Sequence, residues 1–217
     1  MRYDAILFDM DGTVIDSLPD IAAATNAALR RFSLPERSLA EIRAFVGNGA
    51  SRLIHLAVPA GTAEETTEAV LRWYLPWYDA HCRDTTKPYE GILPLLDELR
   101  ARGLKLAVIS NKPDAAVKLI AEDFFAGRLD LAVGETSQVR RKPWPDMIEV
   151  SAQRLGLSPS RCLYVGDSEV DVLTARSAGI DCASVSWGYR SRDELRAAGA
   201  AVILDTVAAL RDWILRE

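Results

Sequence analysis

Short apolar runs alternate with longer amphipathic stretches along the second half of the chain. The apolar runs predict buried strands at 105–109, 129–133, 161–165, 182–185 and 201–204, and a similar run at 3–8 predicts one more near the start. Helical periodicity between them predicts helices at 92–102, 114–123, 145–155, 169–178, 192–198 and 207–216. Strands separated by helices of about ten residues are typical of an α/β protein with a doubly wound, parallel, Rossmann-like sheet.

A purely helical segment separates the first predicted strand from the others. Amphipathic stretches cover 20–32, 39–45, 50–56 and 63–81, and no strand pattern interrupts them. Ligands of such sheets bind beyond the carboxyl ends of the strands, so a segment inserted after the first strand is expected to lie over that edge. We therefore predict an α/β core formed by 1–16 and 86–217, with an inserted α-helical cap formed by 17–85.

Composition excludes some classes of partner. The chain has 217 residues, 26 basic and 31 acidic, and its net charge of −5 is spread without long runs, so no nucleic-acid partner is expected. No apolar run reaches the roughly 18 residues of a membrane helix, and we expect no membrane partner. The three cysteines have unrelated spacings and no leader pattern precedes the first strand, which favours a reduced, cytoplasmic protein. We expect either a monomer or a homodimer.

Two acidic blocks follow predicted buried strands. Asp9 and Asp11 come after the first strand, and Asp167 follows the strand at 161–165. Residues two apart in extended chain point the same way, so we expect Asp9 and Asp11 to face one point that Asp167 also reaches. Clustered carboxylates are costly unless a cation neutralises them. This favours a hard divalent metal, with magnesium preferred, over the alternative that these residues only cap strands or helices.

Further polar residues come after the neighbouring strands. Ser110 and Asn111 close the strand at 105–109, and Lys142 lies in the loop after 129–133. A metal, a lysine, a hydroxyl and the backbone amides around Gly12 together suit the oxygens of a phosphoryl group. Asp9 is then placed as a nucleophile that forms an aspartyl-phosphate, and Asp11 as the general acid and base.

These later positions also have structural interpretations. Serine and asparagine are common in turns, so Ser110 and Asn111 could simply end a strand. Lys142 follows two arginines, and the alternative is that it is a solvated lysine in a surface loop. Asp171 lies one helical turn beyond Asp167 and is either part of the metal site or a surface residue.

Four separated motifs make the chain resemble the haloacid dehalogenase superfamily. They are Asp9-Met10-Asp11-Gly12-Thr13, Ser110-Asn111, Lys142-Pro143-Trp144-Pro145, and Gly166-Asp167-Ser168 with Asp171. Within the superfamily the chain is similar to the phosphoglycolate phosphatase-like branch with a helical cap, and the segment 179–189 also resembles that branch. The resemblance implies Mg²⁺ bound by the Asp9 carboxylate, the Asp11 carbonyl and Asp167, with Asp171 either at the metal or next to its direct ligands. It implies a phosphate held by Ser110, Asn111 and Lys142.

The same resemblance narrows the reaction. Dehalogenases lack an acid at the position of Asp11, so the likeness implies phosphate chemistry. Mutase relatives usually carry a histidine about a dozen residues after the nucleophile, where this chain has Asp20, Ile21 and Ala22. We therefore expect a phosphatase of small phosphorylated metabolites, with 2-phosphoglycolate first. A sugar-phosphate mutase, a pyrophosphatase and a non-catalytic phosphate-binding protein are the alternatives.

The predicted cap offers one candidate contact to substrate. Gly47, Asn48 and Gly49 form a turn between predicted helices, with Arg52 just beyond. We predict that they bind the remainder of the substrate; the alternatives are an ordinary turn between helices and a surface charge at Arg52.

Overall fold

The strands and helices of the computed structural model, which describes residues 2–216, follow the predicted alternation. In chain order the strands are β1 (Ala5–Asp9), β2 (Ile15–Asp16), β3 (Lys87–Pro88), β4 (Lys105–Pro113), β5 (Leu131–Glu135), β6 (Cys162–Gly166), β7 (Asp181–Val185) and β8 (Val202–Leu204). The α-helices are α1 (Leu18–Arg31), α2 (Leu39–Phe45), α3 (Gly49–Ala57), α4 (Glu64–His81), α5 (Ile92–Ala101), α6 (Asp114–Phe125), α7 (Asp146–Arg154), α8 (Glu169–Ala178), α9 (Arg192–Ala197) and α10 (Val207–Arg216).

Six of the strands form one parallel sheet in the order β5-β4-β1-β6-β7-β8. The strand β1 lies inside the sheet, and all five of its residues are buried, as expected where helices cover a parallel sheet. Alternate residues of β1, β4 and β6 enter one apolar cluster with residues of α7 and α8. The Rossmann-like α/β fold predicted from the sequence is confirmed. The sheet order also brings the carboxyl ends of β1, β4 and β6 side by side.

Two strand boundaries differ from the sequence prediction. The strand predicted at 129–133 begins at Leu131, because the Asp130 side chain bends back to accept a hydrogen bond of 2.8 Å from the Leu106 amide. The strand predicted to end at Ile109 continues to Pro113, with a shift of register against β5 between those two residues. Ser110 and Asn111 therefore lie within the irregular end of β4, and the prediction that they follow the strand is wrong.

The chain divides into two compact units. One comprises the described parts of Met1–Ile15 and Pro88–Glu217 and contains the six-stranded sheet; the other is Asp16–Lys87 and contains α1 to α4. The chain passes between the units at β2 and β3, which pair as a two-stranded ribbon. Strands of two residues are too short to leave a periodic signal, and the sequence did not predict them. Between residues 2 and 216, no helix combines the length and the apolar character needed to cross a membrane.

Candidate active site

Asp9 and Lys142 form a buried ion pair at the carboxyl end of β1. The Lys142 Nζ lies 2.7 Å from the Asp9 Oδ1, which also accepts a hydrogen bond from the Met10 amide. The Lys142 side chain is only 3% exposed, so the alternative of a solvated loop lysine is wrong. Its loop is fixed by Asn111, whose side-chain amide donates to the Lys142 carbonyl and accepts from the Lys142 amide. The loop after β5 is thereby tied to the end of β4.

Asp171 holds the same lysine from the other side. The Asp171 Oδ1 lies 2.8 Å from the Lys142 Nζ and accepts a hydrogen bond from the Tyr164 hydroxyl. The Asp171 Oδ2 accepts from the amides of Asp167 and Ser168 and from the Ser168 hydroxyl. This is a capping box at the start of α8. Asp171 is fully buried, so the surface alternative is wrong.

Asp167 follows β6 and is enclosed by two glycines. Its Oδ1 accepts a hydrogen bond from the Thr13 hydroxyl at 3.2 Å, and its Oδ2 accepts one from the Tyr189 amide at 2.6 Å. A Cβ atom added at either Gly12 or Gly188 would lie far inside contact distance of this carboxylate. The segment containing Gly188 and Tyr189, to which no role was assigned from the sequence, therefore holds Asp167 in position.

Burial and mutual repulsion shift the pKa values of this cluster. Burial and the charge of Asp171 raise the pKa of Asp9 well above its ordinary value, and Lys142 offsets this only in part. The same two causes raise the pKa of Asp167 to about 7. For Asp171, burial is outweighed by Lys142 and by its hydrogen bonds, so its pKa is lowered. Burial acts to lower the pKa of Lys142, but Asp171 and Asp9 outweigh it, so its pKa is raised and the lysine stays charged.

The donor set fits a divalent cation. Within residues 2–216, the carboxylates that approach one another closely enough to share a metal are those of Asp9, Asp167 and Asp171, with ligand atoms within 4.8 Å. The Lys142 ammonium contacts only two of these three carboxylates, and burial, together with the charge of Asp171, raises the pKa of Asp9 and of Asp167. Oxygen donors with excess negative charge suit a hard divalent metal.

The Asp11 side chain lies outside this trio. Its Oδ2 pairs with the Lys112 Nζ at 2.9 Å, and the Ser110 hydroxyl donates to the same oxygen at 3.5 Å. Asp9 and Asp11 thus have different lysine partners, and the prediction that their side chains face one point stays a prediction. The chain turns immediately after Asp9, with Gly12 at φ 82°, and is no longer an extended strand at Asp11.

Lys112 and Tyr164 are site residues that the sequence analysis missed. Tyr164 lies in an apolar strand run, and nothing in that run marks its hydroxyl as a partner of Lys142. Lys112 directly follows Ser110 and Asn111. Ser110 and Asn111 are both buried, and their role in holding phosphate stays a prediction.

The predicted cap residues lie in the helical unit. Gly47 and Asn48 link α2 to α3, which begins at Gly49, and Arg52 is exposed on α3. Gly47 and Gly49 have φ of 129° and 79°, so the turn requires glycine at both positions. A contact between these residues and a substrate stays a prediction.

Asp20 and Ile21, at the position where mutase relatives carry a histidine, lie on α1. The Asp20 carboxylate accepts hydrogen bonds from the amides and hydroxyls of Thr85 and Thr86, and Ile21 is 3% exposed. Burial acts to raise the pKa of Asp20, but these hydrogen bonds outweigh it and lower the pKa. Asp20 is therefore an ionised structural residue that joins α1 to the segment before β3.

The part of the chain that contains the sheet and the acidic cluster matches a known protein family. The family described as haloacid dehalogenase-like hydrolase matches residues 6–185, which include the four motifs. The chain belongs to this family.

Several curated relatives of the chain are phosphatases. Phosphoglycolate phosphatase 1 of Pseudomonas aeruginosa is 32% identical over 212 residues, covering 94% of this chain and 77% of the relative. The N-acetylmuramic acid 6-phosphate phosphatase of the same organism is 34% identical over 218 residues, covering 100% and 96%. A crystal structure from Lactobacillus delbrueckii subsp. bulgaricus, provisionally named a phosphoglycolate phosphatase, superposes with a TM-score of 0.94 at 37% identity, covering both chains completely. The protein is a phosphoric monoester hydrolase.

Proposed function

We propose that the protein is a magnesium-dependent phosphatase that hydrolyses 2-phosphoglycolate through an aspartyl-phosphate on Asp9. The observation that carries the proposal is the separation of two carboxylates that are only two residues apart. Asp9 is paired with Lys142 inside the buried cluster, whereas Asp11 is paired with Lys112 outside it. Two carboxyl groups in different environments can perform different tasks, one as nucleophile and the other as acid and base.

The two chemical steps follow from this division. An oxygen of the Asp9 carboxylate attacks phosphorus, the bond to the leaving oxygen breaks, and Asp11 gives that oxygen its proton. Water then attacks the phosphorus of the aspartyl-phosphate and gives a proton to Asp11. The products are inorganic phosphate and the restored Asp9 carboxylate. Lys142 and the Ser110 hydroxyl are the proposed donors to the phosphoryl oxygens. The Gly12 amide, a donor predicted from the sequence, already donates to the Ile15 carbonyl at 2.9 Å.

The Asp9 carboxylate, the Asp11 carbonyl and Asp167 are the proposed ligands of Mg²⁺. When bound, the ion neutralises these carboxylates and the charge on the transferring phosphoryl group. Asp171 already accepts hydrogen bonds from five donor atoms, whereas a carboxylate has about four lone-pair positions. We therefore assign Asp171 to holding Lys142 and the start of α8.

The affinity for Mg²⁺ is expected to rise with pH through about pH 7. The folded pKa of Asp167, about 7, lies above its ordinary value of 3.8, so below pH 7 a proton competes with the ion. For the same reason, the metal-free protein loses stability as pH rises between these two values, and Mg²⁺ restores it. Titration calorimetry in two buffers of different ionisation enthalpy will detect the proton released on binding.

Asp167→Asn is the matched variant for this titration. It should weaken Mg²⁺ binding and reduce the proton release. An unchanged Mg²⁺ affinity from about pH 5.5 to pH 8, with full activity in EDTA, would contradict the metal assignment.

Gly188→Ala is expected to raise the Mg²⁺ concentration needed for activity. The added methyl group would meet both the Asp167 Oδ2 and the Gly12 carbonyl, so the ligand or its loop must move. Mg²⁺ titrations of activity and of melting temperature will measure the effect. Gly156→Ala is the control, because Gly156 has φ 73° but open space around it, so its replacement costs stability without disturbing Asp167. Equal Mg²⁺ requirements in the two variants would contradict the role given to Gly188.

A phosphatase is favoured over a mutase by the helix α1. A mutase needs a second acid–base group in the position occupied here by Asp20 and Ile21, but Ile21 is apolar and Asp20 is held by Thr85 and Thr86. Among phosphatase substrates, N-acetylmuramic acid 6-phosphate is the second candidate. The relative that hydrolyses it covers this chain completely at an identity similar to that of phosphoglycolate phosphatase 1.

A substrate panel tests the proposed function. It contains 2-phosphoglycolate, N-acetylmuramic acid 6-phosphate, β-glucose 1-phosphate and pyrophosphate, with Asp9→Asn as the inactive control. We expect 2-phosphoglycolate to have the highest kcat/KM. A tenfold advantage for another substrate, about 1.4 kcal/mol of transition-state preference, would overturn the substrate while leaving the phosphatase in place. A loss of activity toward 2-phosphoglycolate in Arg52→Ala, absent with p-nitrophenyl phosphate, would support the predicted substrate contact of the turn at 47–49.

A further inference from the structure

Lys112 is a nearly buried cation that the proposed steps do not use. Its side chain is 10% exposed and its Nζ lies 2.9 Å from the Oδ2 of Asp11, whose side chain is 14% exposed. The Lys112 amide also donates to the Ser110 hydroxyl, which in turn donates to the same carboxylate oxygen. One residue therefore reaches the Asp11 carboxylate directly and through a neighbouring hydroxyl.

The backbone of Lys112 is held in place by β5. A Cβ atom at Gly134 would lie 2.7 Å from the Lys112 carbonyl oxygen and 2.5 Å from the Asp114 Cα, so only glycine permits this approach. The Gly134 amide also donates to the Asp114 carboxylate at 3.0 Å. On the other side, Asn111 is bound to the backbone of Lys142. The irregular end of β4 is thus fixed before and after Lys112, and the direction of its side chain follows from that backbone.

Two lysines form ion pairs with different carboxylates of the site. Lys142 lies between Asp9 and Asp171, whereas Lys112 pairs with Asp11. Without Lys112, the Asp11 carboxylate would lose its ion-pair partner next to a buried cluster of like charge, and a different side-chain conformation would compete.

We propose that Lys112 is a positioning residue: it holds the Asp11 side chain apart from the buried carboxylates. In that position Asp11 gives its proton to the leaving oxygen. The inference rests on the proposed role of Asp11 as the general acid. A general acid matters most when the leaving group is a poor one. An alkoxide needs the proton, whereas nitrophenolate leaves without it. The effect of Lys112 should therefore depend on the leaving group.

The test compares three substrates in purified Lys112→Met, Lys112→Arg and wild-type protein. The substrates are 2-phosphoglycolate, ethyl phosphate and p-nitrophenyl phosphate, and the quantity is kcat/KM, which reports the steps up to departure of the leaving group. Lys112→Met should lose about tenfold or more with both alkyl phosphates and less than about threefold with p-nitrophenyl phosphate. Lys112→Arg should recover most of the loss. Lys118→Met is the control, because Lys118 pairs with Asp114 but is 59% exposed, and it should behave as wild type.

Three other outcomes overturn the inference. A loss confined to 2-phosphoglycolate would mean that Lys112 binds the substrate carboxylate. An equal loss with all three substrates would mean that the substitution damages the site as a whole. An undiminished kcat/KM with all three substrates would mean that Asp11 needs no support from Lys112.

Asp11→Asn separates this inference from the proposed function. If Asp11→Asn does not discriminate alkyl from nitrophenyl phosphates, the acid role of Asp11 fails and the inference fails with it. If Asp11→Asn discriminates but Lys112→Met does not, only the inference fails. In the double variant, Lys112→Met should cause no further loss beyond that of Asp11→Asn, because the two residues act as one unit.

Discussion

Asp9→Asn is expected to reduce turnover by a factor on the order of 10⁴ or more, the largest effect of any single substitution in this chain. The amide cannot form the aspartyl-phosphate, and it removes one of the proposed metal ligands. The variant should nevertheless fold. Burial, followed by the charge of Asp171, raises the pKa of Asp9, so its negative charge is unfavourable at this place and the neutral side chain of asparagine removes that cost.

Turnover and melting temperature measured on the same sample separate these effects. The melting temperature of metal-free Asp9→Asn should equal or exceed that of the wild type at neutral pH. Asp4→Asn is the matched control, because Asp4 stands just before the same strand but forms an exposed salt bridge with Arg161, and activity should be unchanged. Turnover by Asp9→Asn within tenfold of wild type would remove Asp9 from the nucleophile role.

Asp11→Asn is expected to lower kcat/KM for 2-phosphoglycolate by about 10² to 10⁴, the range typical of general acid–base groups. The loss should be much smaller with p-nitrophenyl phosphate, whose leaving group needs no proton. Binding of Mg²⁺ should be largely retained, because the proposed contact from Asp11 uses its carbonyl and the side chain lies with Lys112. Titration calorimetry will measure the Mg²⁺ affinity, and kinetic assays with the two substrates will measure kcat/KM.

A different pattern would contradict the assignment of Asp11. Near-normal turnover of 2-phosphoglycolate would show that another group supplies the proton. Loss of Mg²⁺ binding in proportion to the loss of activity would show that the Asp11 carboxylate belongs to the metal site.

The residues at strand ends were the most predictable part of the site. Asp9 and Asp167 follow apolar runs, and parallel strands bring their carboxyl ends to one edge, so the proximity of these carboxylates could be predicted from pattern alone. Lys142 lies in a loop, but the need for a cation beside buried carboxylates indicated it. The structure gives that lysine two carboxylate partners, Asp9 and Asp171.

The irregular segments were the least predictable. The rule that residues two apart point the same way does not apply at Asp11, because β1 ends at Asp9 and the chain turns at Gly12. The strand β4 continues beyond Ile109 to Pro113. Had that been predicted, the same rule would have placed the Ser110 and Lys112 side chains on one face of the strand. The position of Gly188 against Asp167 depends on a contact between segments about 20 residues apart, and no local pattern encodes such a contact.

Chemical trapping of the intermediate tests the central claim most directly. The enzyme is quenched during turnover of 2-phosphoglycolate with Mg²⁺, reduced with borohydride, and digested for mass spectrometry. If Asp9 carries the phosphoryl group, the peptide containing it will show homoserine at position 9, and Asp9→Asn will show none. Absence of homoserine there, in an active enzyme and alongside successful trapping of a known aspartyl-phosphatase, would contradict the covalent mechanism, as would reduction at a different carboxylate.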